Sequence, residues 1–221
     1  MVKLIHHPTD FLSRKMRIIM KEKKRLFSLK EDEPWNISQN TLKFNPAGEL
    51  PILISDGKAI SGNYALMELL EIIEPDPKLI YGDIQQKTEI RRLTEWFDVK
   101  FYNEVIKPIV HEKVHKRFGA GKTPDSKAIK IGYNNLEFHI SYMEWLLDKN
   151  VFLAGESISM ADISAASAFS LLDYLGDIAW QDHKTLKNWY AKIKSRPSFQ
   201  EILKDNIKGI LPSKHYANLD F

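Results

Sequence analysis

The sequence predicts two units in series: a mixed α/β unit over residues 1–77 and an all-helical unit over 84–210, followed by a short tail, 211–221. Three observations predict this. Strand-sized apolar runs alternate with helical stripes up to Ile73. Glu74-Pro75-Asp76-Pro77 then interrupts the chain, because neither proline can continue a helix. Beyond Gln85 every apolar pattern has helical period.

Residues 2–6 form an apolar run that suits a buried strand, ending near His7-Pro8. From Ser13 a helical stripe follows, with Met16, Ile19 and Met20 set among Arg14, Lys15, Arg17 and Lys21. Phe27 to Lys30 reads as a second strand, and the Pro- and Trp-containing segment Glu31 to Gln39 as a loop or irregular helix. Asn45-Pro46-Ala47-Gly48 is turn chemistry, and Pro51 before Ile52-Leu53-Ile54 marks an edge strand or a cis bond. Asp56-Gly57 predicts a hairpin into Ala59-Ile60. Asn63 is placed to cap a helix carrying Leu66, Leu69, Leu70 and Ile73. In the second unit Ile90, Leu93, Phe97, Phe101 and Val105 make one long stripe, with Pro108 expected to kink or break it. Further helical stripes cover Leu136–Leu147, Ala161–Leu175 and Leu186–Ile193. The tail has no helical period and is expected on the surface.

Composition narrows the function classes. The 221 residues are 43% hydrophobic and 28% charged, an ordinary globular balance. Thirty-two basic residues stand against 29 acidic ones, a net charge of +3, which gives no concentrated basic face for nucleic acid. There is no cysteine, so disulfides, thiolate metal sites and cysteine nucleophiles are excluded. The N-terminal apolar run is too short for a signal peptide, and Ile158 to Leu172, which contains Asp162 and several serines, reads as a buried helix. A cytoplasmic location without membrane insertion is the expectation.

Two short motifs lack the chemistry that their patterns suggest. His111-Glu112-Lys113-Val114-His115 matches the H-E-x-x-H zinc pattern, but lysines surround it and no third ligand with suitable spacing follows. No metal site is expected. Gly121-Lys122-Thr123 looks like the end of a phosphate loop, yet Lys116 stands where the first glycine is needed.

Four segments resemble the glutathione-transferase superfamily in order and spacing. They are His7 to Arg17 at the first strand–helix turn, Asn45 to Leu53, Phe152 to Ile163, and Leu186 to Phe199 with Trp189 and Arg196-Pro197-Ser198. Within the third, Ser159 and Asp162 form an S-x-x-D capping pattern. The resemblance implies a thioredoxin-like α/β domain followed by an all-α domain. It also implies a cis peptide at Pro51, and a glutathione site in which the backbone of Leu50 meets the cysteinyl part.

Against that family pattern the chemistry is depleted. A hydroxyl near the thiol of glutathione lowers its pKa and activates it. Asp10 stands where serine-using members carry that hydroxyl, and a carboxylate there repels a thiolate. His6 matches the tyrosine of other members approximately. Ser13 is the nearby hydroxyl, placed either to serve as that donor or to cap the first helix. The residues matching the family's Glu-Ser pair for the γ-glutamyl end are Gly62-Asn63. Losing that charge-assisted bond costs roughly 1.5–3 kcal/mol, about one to two orders of magnitude in affinity. No cofactor is therefore required, and glutathione is expected at most as a weak ligand.

Pro8-Thr9-Asp10-Phe11-Leu12-Ser13-Arg14 and the terminal His215-Tyr216-Ala217-Asn218-Leu219-Asp220-Phe221 also resemble a bacterial group of division proteins with the transferase fold that bind FtsZ. This resemblance implies a homodimer that binds FtsZ filaments through the former substrate-cleft side and signals to septal wall synthesis, recruited to the division site. Trp35 is then a candidate interface anchor, or else a residue packed under the domain junction. His215, Tyr216, Asp220 and Phe221 belong to a candidate docking peptide, or else to a strip packed on its own protein. Two alternatives stay open: a glutathione-dependent transferase or peroxidase, and a stress- or translation-associated adaptor.

Overall fold

The structure, a computed structural model, describes residues 2–219. Its N-terminal part is a four-stranded mixed sheet with strand order β2-β1-β3-β4. Strand β1 (Lys3–His6) runs parallel to β2 (Ser28–Glu31), with Leu4 opposite Leu29, and antiparallel to β3 (Ile52–Ser55), with Leu4 opposite Leu53. Strand β4 (Lys58–Ser61) pairs with β3 across the expected hairpin. Asp56 and Gly57 both have positive φ, 52° and 76°, the conformation a two-residue turn needs to match strand twist.

Helices α1 (Phe11–Glu22) and α3 (Asn63–Ile73) pack on each other, and the one-turn α2 (Gln39–Leu42) punctuates the loop after β2. This is the thioredoxin-like arrangement. Leu4, Met16, Ile19, Leu53, Leu66 and Leu70 fill the space beneath the sheet and are all but inaccessible. Each such side chain contributes roughly 1.5–3 kcal/mol relative to exposure.

The all-α part begins with α4 (Ile84–Glu95), whose N-cap Asp83 accepts from Gln86 N–H at 2.8 Å. It continues without a break into a π-helical segment, Trp96–His115, and then α5 (Lys116–Ala120). Pro108 lies inside this run and does not break it, so of the two expected outcomes the break does not occur. Two features accommodate it. The wider π turns ease the ring's clash with the preceding turn. Gly132, on the neighbouring α6 (Ser126–Leu147), presents no side chain there; a Cβ would stand 3.2 Å from Pro108 and 2.7 Å from Ile109.

Helix α7 (Met160–Leu175) runs through the centre of the domain and is buried along almost its whole length. The Ser159–Asp162 capping box expected from sequence starts it. Helices α8 (Lys184–Lys194) and α9 (Pro197–Gln200) close the bundle. The stripe Ile90, Leu93, Phe97, Phe101 and Val105 is fully buried, and Phe101 stacks on Phe169 of α7 at 5.3 Å. Among the described residues no helix is long and apolar enough to cross a membrane.

Arg14 of α1 fastens the two parts. Its guanidinium is wholly buried and donates to the Pro8 carbonyl (2.6 Å), the Ser170 hydroxyl on α7 (3.0 Å) and the Tyr216 hydroxyl (2.8 Å). The tail thus returns to the core. Tyr216 is 1% exposed and donates to the Ile202 carbonyl (3.0 Å), while His215 Nε2 lies 2.9 Å from the buried carboxylate of Asp173. For Tyr216 this answers to the alternative of a strip packed on its own protein, because a phenol that serves a buried arginine has no surface to offer; His215 stays partly exposed. Asp220 and Phe221 lie outside the described residues.

Candidate functional site

A cleft of about 370 Å³ opens between the two parts. Three loops of the α/β part form its floor and one wall: Thr9 to Leu12, Gly48 to Leu50, and Gly62-Asn63. Asp98, Tyr102, Ile106, Lys107, Val110, His111 and His115 of the π-helical segment form the other wall. The mixed sheet places its strand ends here, and the helical segment runs past them.

The first loop reverses the expected roles of Asp10 and Ser13. Asp10, in extended conformation, is the N-cap of α1, and its Oδ2 accepts from Ser13 N–H at 2.8 Å. Ser13 is wholly buried, its hydroxyl accepts from His7 N–H at 3.3 Å, and it does not line the cleft. Ser13 therefore neither caps the helix nor reaches a ligand thiol. Burial, reinforced by the nearby Glu49 carboxylate, pushes the Asp10 carboxyl up to about 6 against the pull of its Ser13 and Leu12 hydrogen bonds. His6, the approximate match to the family's tyrosine, faces the interior. Both its ring nitrogens lack hydrogen-bond partners, and burial lowers its pKa to about 3.

Beside Asp10 the cleft is lined by the hydroxyl-bearing Thr9, which sequence reasoning passed over. Its Oγ1 sits 2.7 Å from His7 Nδ1 and 3.0 Å from His115 Nε2. The Thr9 N–H also points at His7 Nδ1 (3.2 Å), so that nitrogen is an acceptor. Donor counting then fixes the chain of bonds: His115 Nε2–H donates to Thr9, and the Thr9 hydroxyl donates to His7. Burial first, then neighbouring charges, lowers both histidines to about 4, so both are neutral near pH 7. His115 is also the last residue of the H-E-x-x-H run. Its Glu112 is held by Lys116 and by the Asp125 N–H, each at 2.7 Å.

Trp35 stands behind this pair. Its ring is 5.0 Å from that of His7 and 5.3 Å from that of His115, and its Nε1–H donates to Glu33 (3.1 Å). It is half-buried, with one side packed against His7 and His115 at the domain junction. Gly119 makes that packing possible, since a Cβ there would fall 2.6 Å from Trp35.

The second loop is built as expected. Asn45 Nδ2–H donates to the Glu49 carbonyl (2.8 Å) and its Oδ1 accepts from Ala47 N–H (3.2 Å), closing the turn. Leu50–Pro51 is cis; Leu50 lines the cleft and Pro51 lies behind it. In the third loop, Gly62 is the N-cap of α3, at φ 92°, with no side-chain cap. Asn63 does not cap; it donates from Nδ2 to Asp98 Oδ2 at 2.8 Å. Asp98 Oδ2 also receives the buried Lys15 ammonium, an ion pair with no counterpart in the sequence reading. Asp98 Oδ1 and Asn63 Oδ1 are both left without a donor.

Comparison with known proteins agrees with this geometry. The family described as "Glutathione S-transferase, C-terminal domain" matches residues 110–206. FtsZ-localized protein A of Caulobacter vibrioides is 38% identical, over 99% of this chain and 97% of that protein. The crystal structure of a glutathione S-transferase from Rhodospirillum rubrum F11 superposes with a TM-score of 0.96 at 42% identity, covering 100% of both chains. FzlA from C. crescentus does so with a TM-score of 0.95 at 38% identity, covering 100% of this chain and 99% of that one. The chain belongs to the glutathione S-transferase superfamily, in the family that includes FtsZ-localized protein A.

Proposed function

We propose that the protein is a homodimeric cell-division factor that binds FtsZ filaments with the cleft side of a transferase fold. The observation that carries this reading is the end-to-end 38% identity to FtsZ-localized protein A. The site geometry supports it. The position of the family's activating hydroxyl is a carboxylate, Asp10, and Ser13 is sealed beneath it. The γ-glutamyl position holds Gly62 and Asn63, and Asn63 is already engaged by Asp98. Glutathione is at most a weak ligand of this cleft, and no cofactor is required.

In this reading Trp35 anchors the filament contact from the rim of the cleft, and the end of the tail past Tyr216, including Asp220 and Phe221, contacts septal wall-synthesis proteins. A second subunit covers the face of α3 and the start of the π-helical segment where Tyr64 and Val99 are exposed. The test is co-sedimentation with FtsZ filaments, with filament curvature followed by electron microscopy. Trp35→Ala is expected to weaken binding at least tenfold with the fold intact. Unchanged binding and curvature overturn the interface.

One observation favours a second reading, a glutathione-dependent enzyme: Thr9 lines the cleft and its hydroxyl is held between two neutral histidines. Calorimetric titration with glutathione separates the readings. A dissociation constant below about a millimolar supports the enzyme, and Thr9→Val would then abolish turnover.

A further inference from the structure

Strand β2 is an edge of the sheet, and its outer side is open. Ser28 N–H donates to the Val2 carbonyl and Asp32 N–H to the His6 carbonyl, each at 3.0 Å, so alternate residues of β2 face β1. Leu29 and Glu31 therefore turn their main-chain N–H and C=O groups outward, where no further strand lies among the described residues. Both residues are exposed, and so is Leu26 just before the strand. A row of unpaired main-chain groups is a template for another extended chain. At the end of this edge a second cavity opens, about 600 Å³ in volume, with Glu31 and Trp35 in its lining. Pro8, Phe118 and Ile207 extend its apolar part. The core holds that shape in place. Ile207 N–H donates to the Tyr174 hydroxyl (3.0 Å), which donates in turn to the Ile210 carbonyl (2.8 Å). Phe118 lies so close over Gly209 that a Cβ there would fall 2.8 Å from its ring. The rim is acidic: Glu31, Asp32 and Glu33 are consecutive, with Lys208 as the cation of the lining. Asp32 is met by the Ser38 hydroxyl and Glu33 by the Trp35 indole, and among the described residues none of the three carboxylates has an ion-pair partner.

We propose that β2 and the cavity at its end form a groove for an extended segment of the protein partner, one that carries a bulky apolar side chain beside a lysine or arginine. The proposal rests on the filament-binding reading and states how the partner is held. The segment adds a strand to β2 and exchanges main-chain hydrogen bonds with Leu29 and Glu31. Its apolar side chain fills the cavity against Phe118 and Ile207, and its cation meets the acidic rim. A helix cannot serve, because its main-chain groups are already spent within itself. Trp35 forms part of the same cavity, so the anchor residue and the groove belong to one surface.

The test uses the full-length protein with two probes. On FtsZ filaments, amide hydrogen exchange at Leu29 and Glu31 is expected to slow at least about tenfold, as paired strand amides do. Glu31→Arg reverses the charge of an exposed side chain, and Leu29→Pro removes one outward donor at an edge position that tolerates proline. Each is expected to weaken co-sedimentation at least about fivefold, with thermal melting by circular dichroism confirming the fold. The second probe is the peptide acetyl-Lys-Val-Phe-Val-Lys-amide, titrated by amide NMR. It is expected to shift Leu29, Glu31 and Lys208, and to bind at least about fivefold more weakly when its three central main-chain nitrogens are methylated. Filament binding without slowed exchange at Leu29 and Glu31 overturns strand addition. Filament binding unchanged in Glu31→Arg, or equal affinity for the peptide with glutamates in place of its lysines, overturns the charge assignment. If the native protein binds no filaments, the functional reading fails, and the peptide titration alone decides the groove: no shift at Leu29 and Glu31 overturns it.

Discussion

Two regions of this molecule bury carboxylates, and they treat them oppositely. In the helical domain Asp162 and Asp173 are fully enclosed, and each is met by four donors. Asp162 accepts from Leu153 N–H, the Trp189 indole, and both the N–H and the hydroxyl of Ser159. Asp173 accepts from the Trp180 indole, His215, Tyr190 and the Lys194 ammonium. At the cleft Asp98 has one oxygen filled and one without a partner, and Asp10 caps a helix through its Ser13 and Leu12 hydrogen bonds while Glu49 raises its carboxyl. A saturated carboxylate is a structural device, because every lost hydration bond has been replaced. An unsaturated one keeps part of its desolvation cost.

The comparison breaks most visibly at Asp162. Asp162→Ala would leave an indole, two main-chain N–H groups and a hydroxyl without their acceptor, and should lower stability by about 3–5 kcal/mol. Urea denaturation followed by circular dichroism would measure it. A loss under about 1 kcal/mol would mean that the network holds no more than its packing does.

A smaller effect is expected where the tail joins the saturated region. Tyr216→Phe keeps the ring and removes the hydroxyl that serves Arg14 and the Ile202 carbonyl, at a cost of about 1–3 kcal/mol. The same urea titration reads this, and limited proteolysis should show the tail cut sooner. If the tail were a free docking strip, neither would change.

Gly119→Ala sharpens the comparison from the side of the cleft. A methyl group 2.6 Å from the Trp35 ring must push the indole away from His7 and His115. The global cost should stay near 1–2 kcal/mol, as for other overpacked sites. Filament affinity should nevertheless fall as far as in Trp35→Ala, if the indole's placement is what the partner reads.

How much of this was legible beforehand follows the physics of each signal. The strands, the hairpin at Asp56-Gly57 and the buried helical stripes depend on local periodicity and turn chemistry, and they stand where the sequence put them. At Pro51 the residues left an edge strand or a cis bond, and the resemblance chose the cis bond, which the structure has. The path through Pro108 was hidden, because its accommodation depends on Gly132 from another helix. The exchange of roles between Asp10 and Ser13 was hidden too. Both residues cap helices well, and only their placement decides between them: Asp10 stands one residue before the start at Phe11, Ser13 two residues after it. The bonds from His115 to Thr9, from Asp98 to Lys15 and from Tyr216 to Arg14 span separations of 106, 83 and 202 residues, and no periodicity encodes such pairs.

The smallest effect is the most diagnostic of the cleft. Asp10 has its carboxyl raised to about 6, above the usual unfolded value near 3.9. The folded protein therefore binds more protons than the unfolded chain between those values, and Asp10 makes stability fall as pH rises through that window. His7 and His115, lowered to about 4, act in the opposite sense and withdraw stability as pH falls below 6.5. The two trends offset each other in the native protein, so a single pH profile would hide both. Asp10→Asn separates them: the cap is kept, the histidines are untouched, and only the carboxylate's penalty is gone. The variant should match the native protein near pH 4 and exceed its stability by about 1 kcal/mol at pH 7, a figure discounted because the side chain reaches the open cleft. Parallel urea titrations across that range would show the gap opening between pH 4 and 6. A gap that is constant with pH would place the Asp10 carboxylate in a solvated, unstrained setting, and the contrast with the saturated carboxylates of the helical domain would then rest on Asp98 alone.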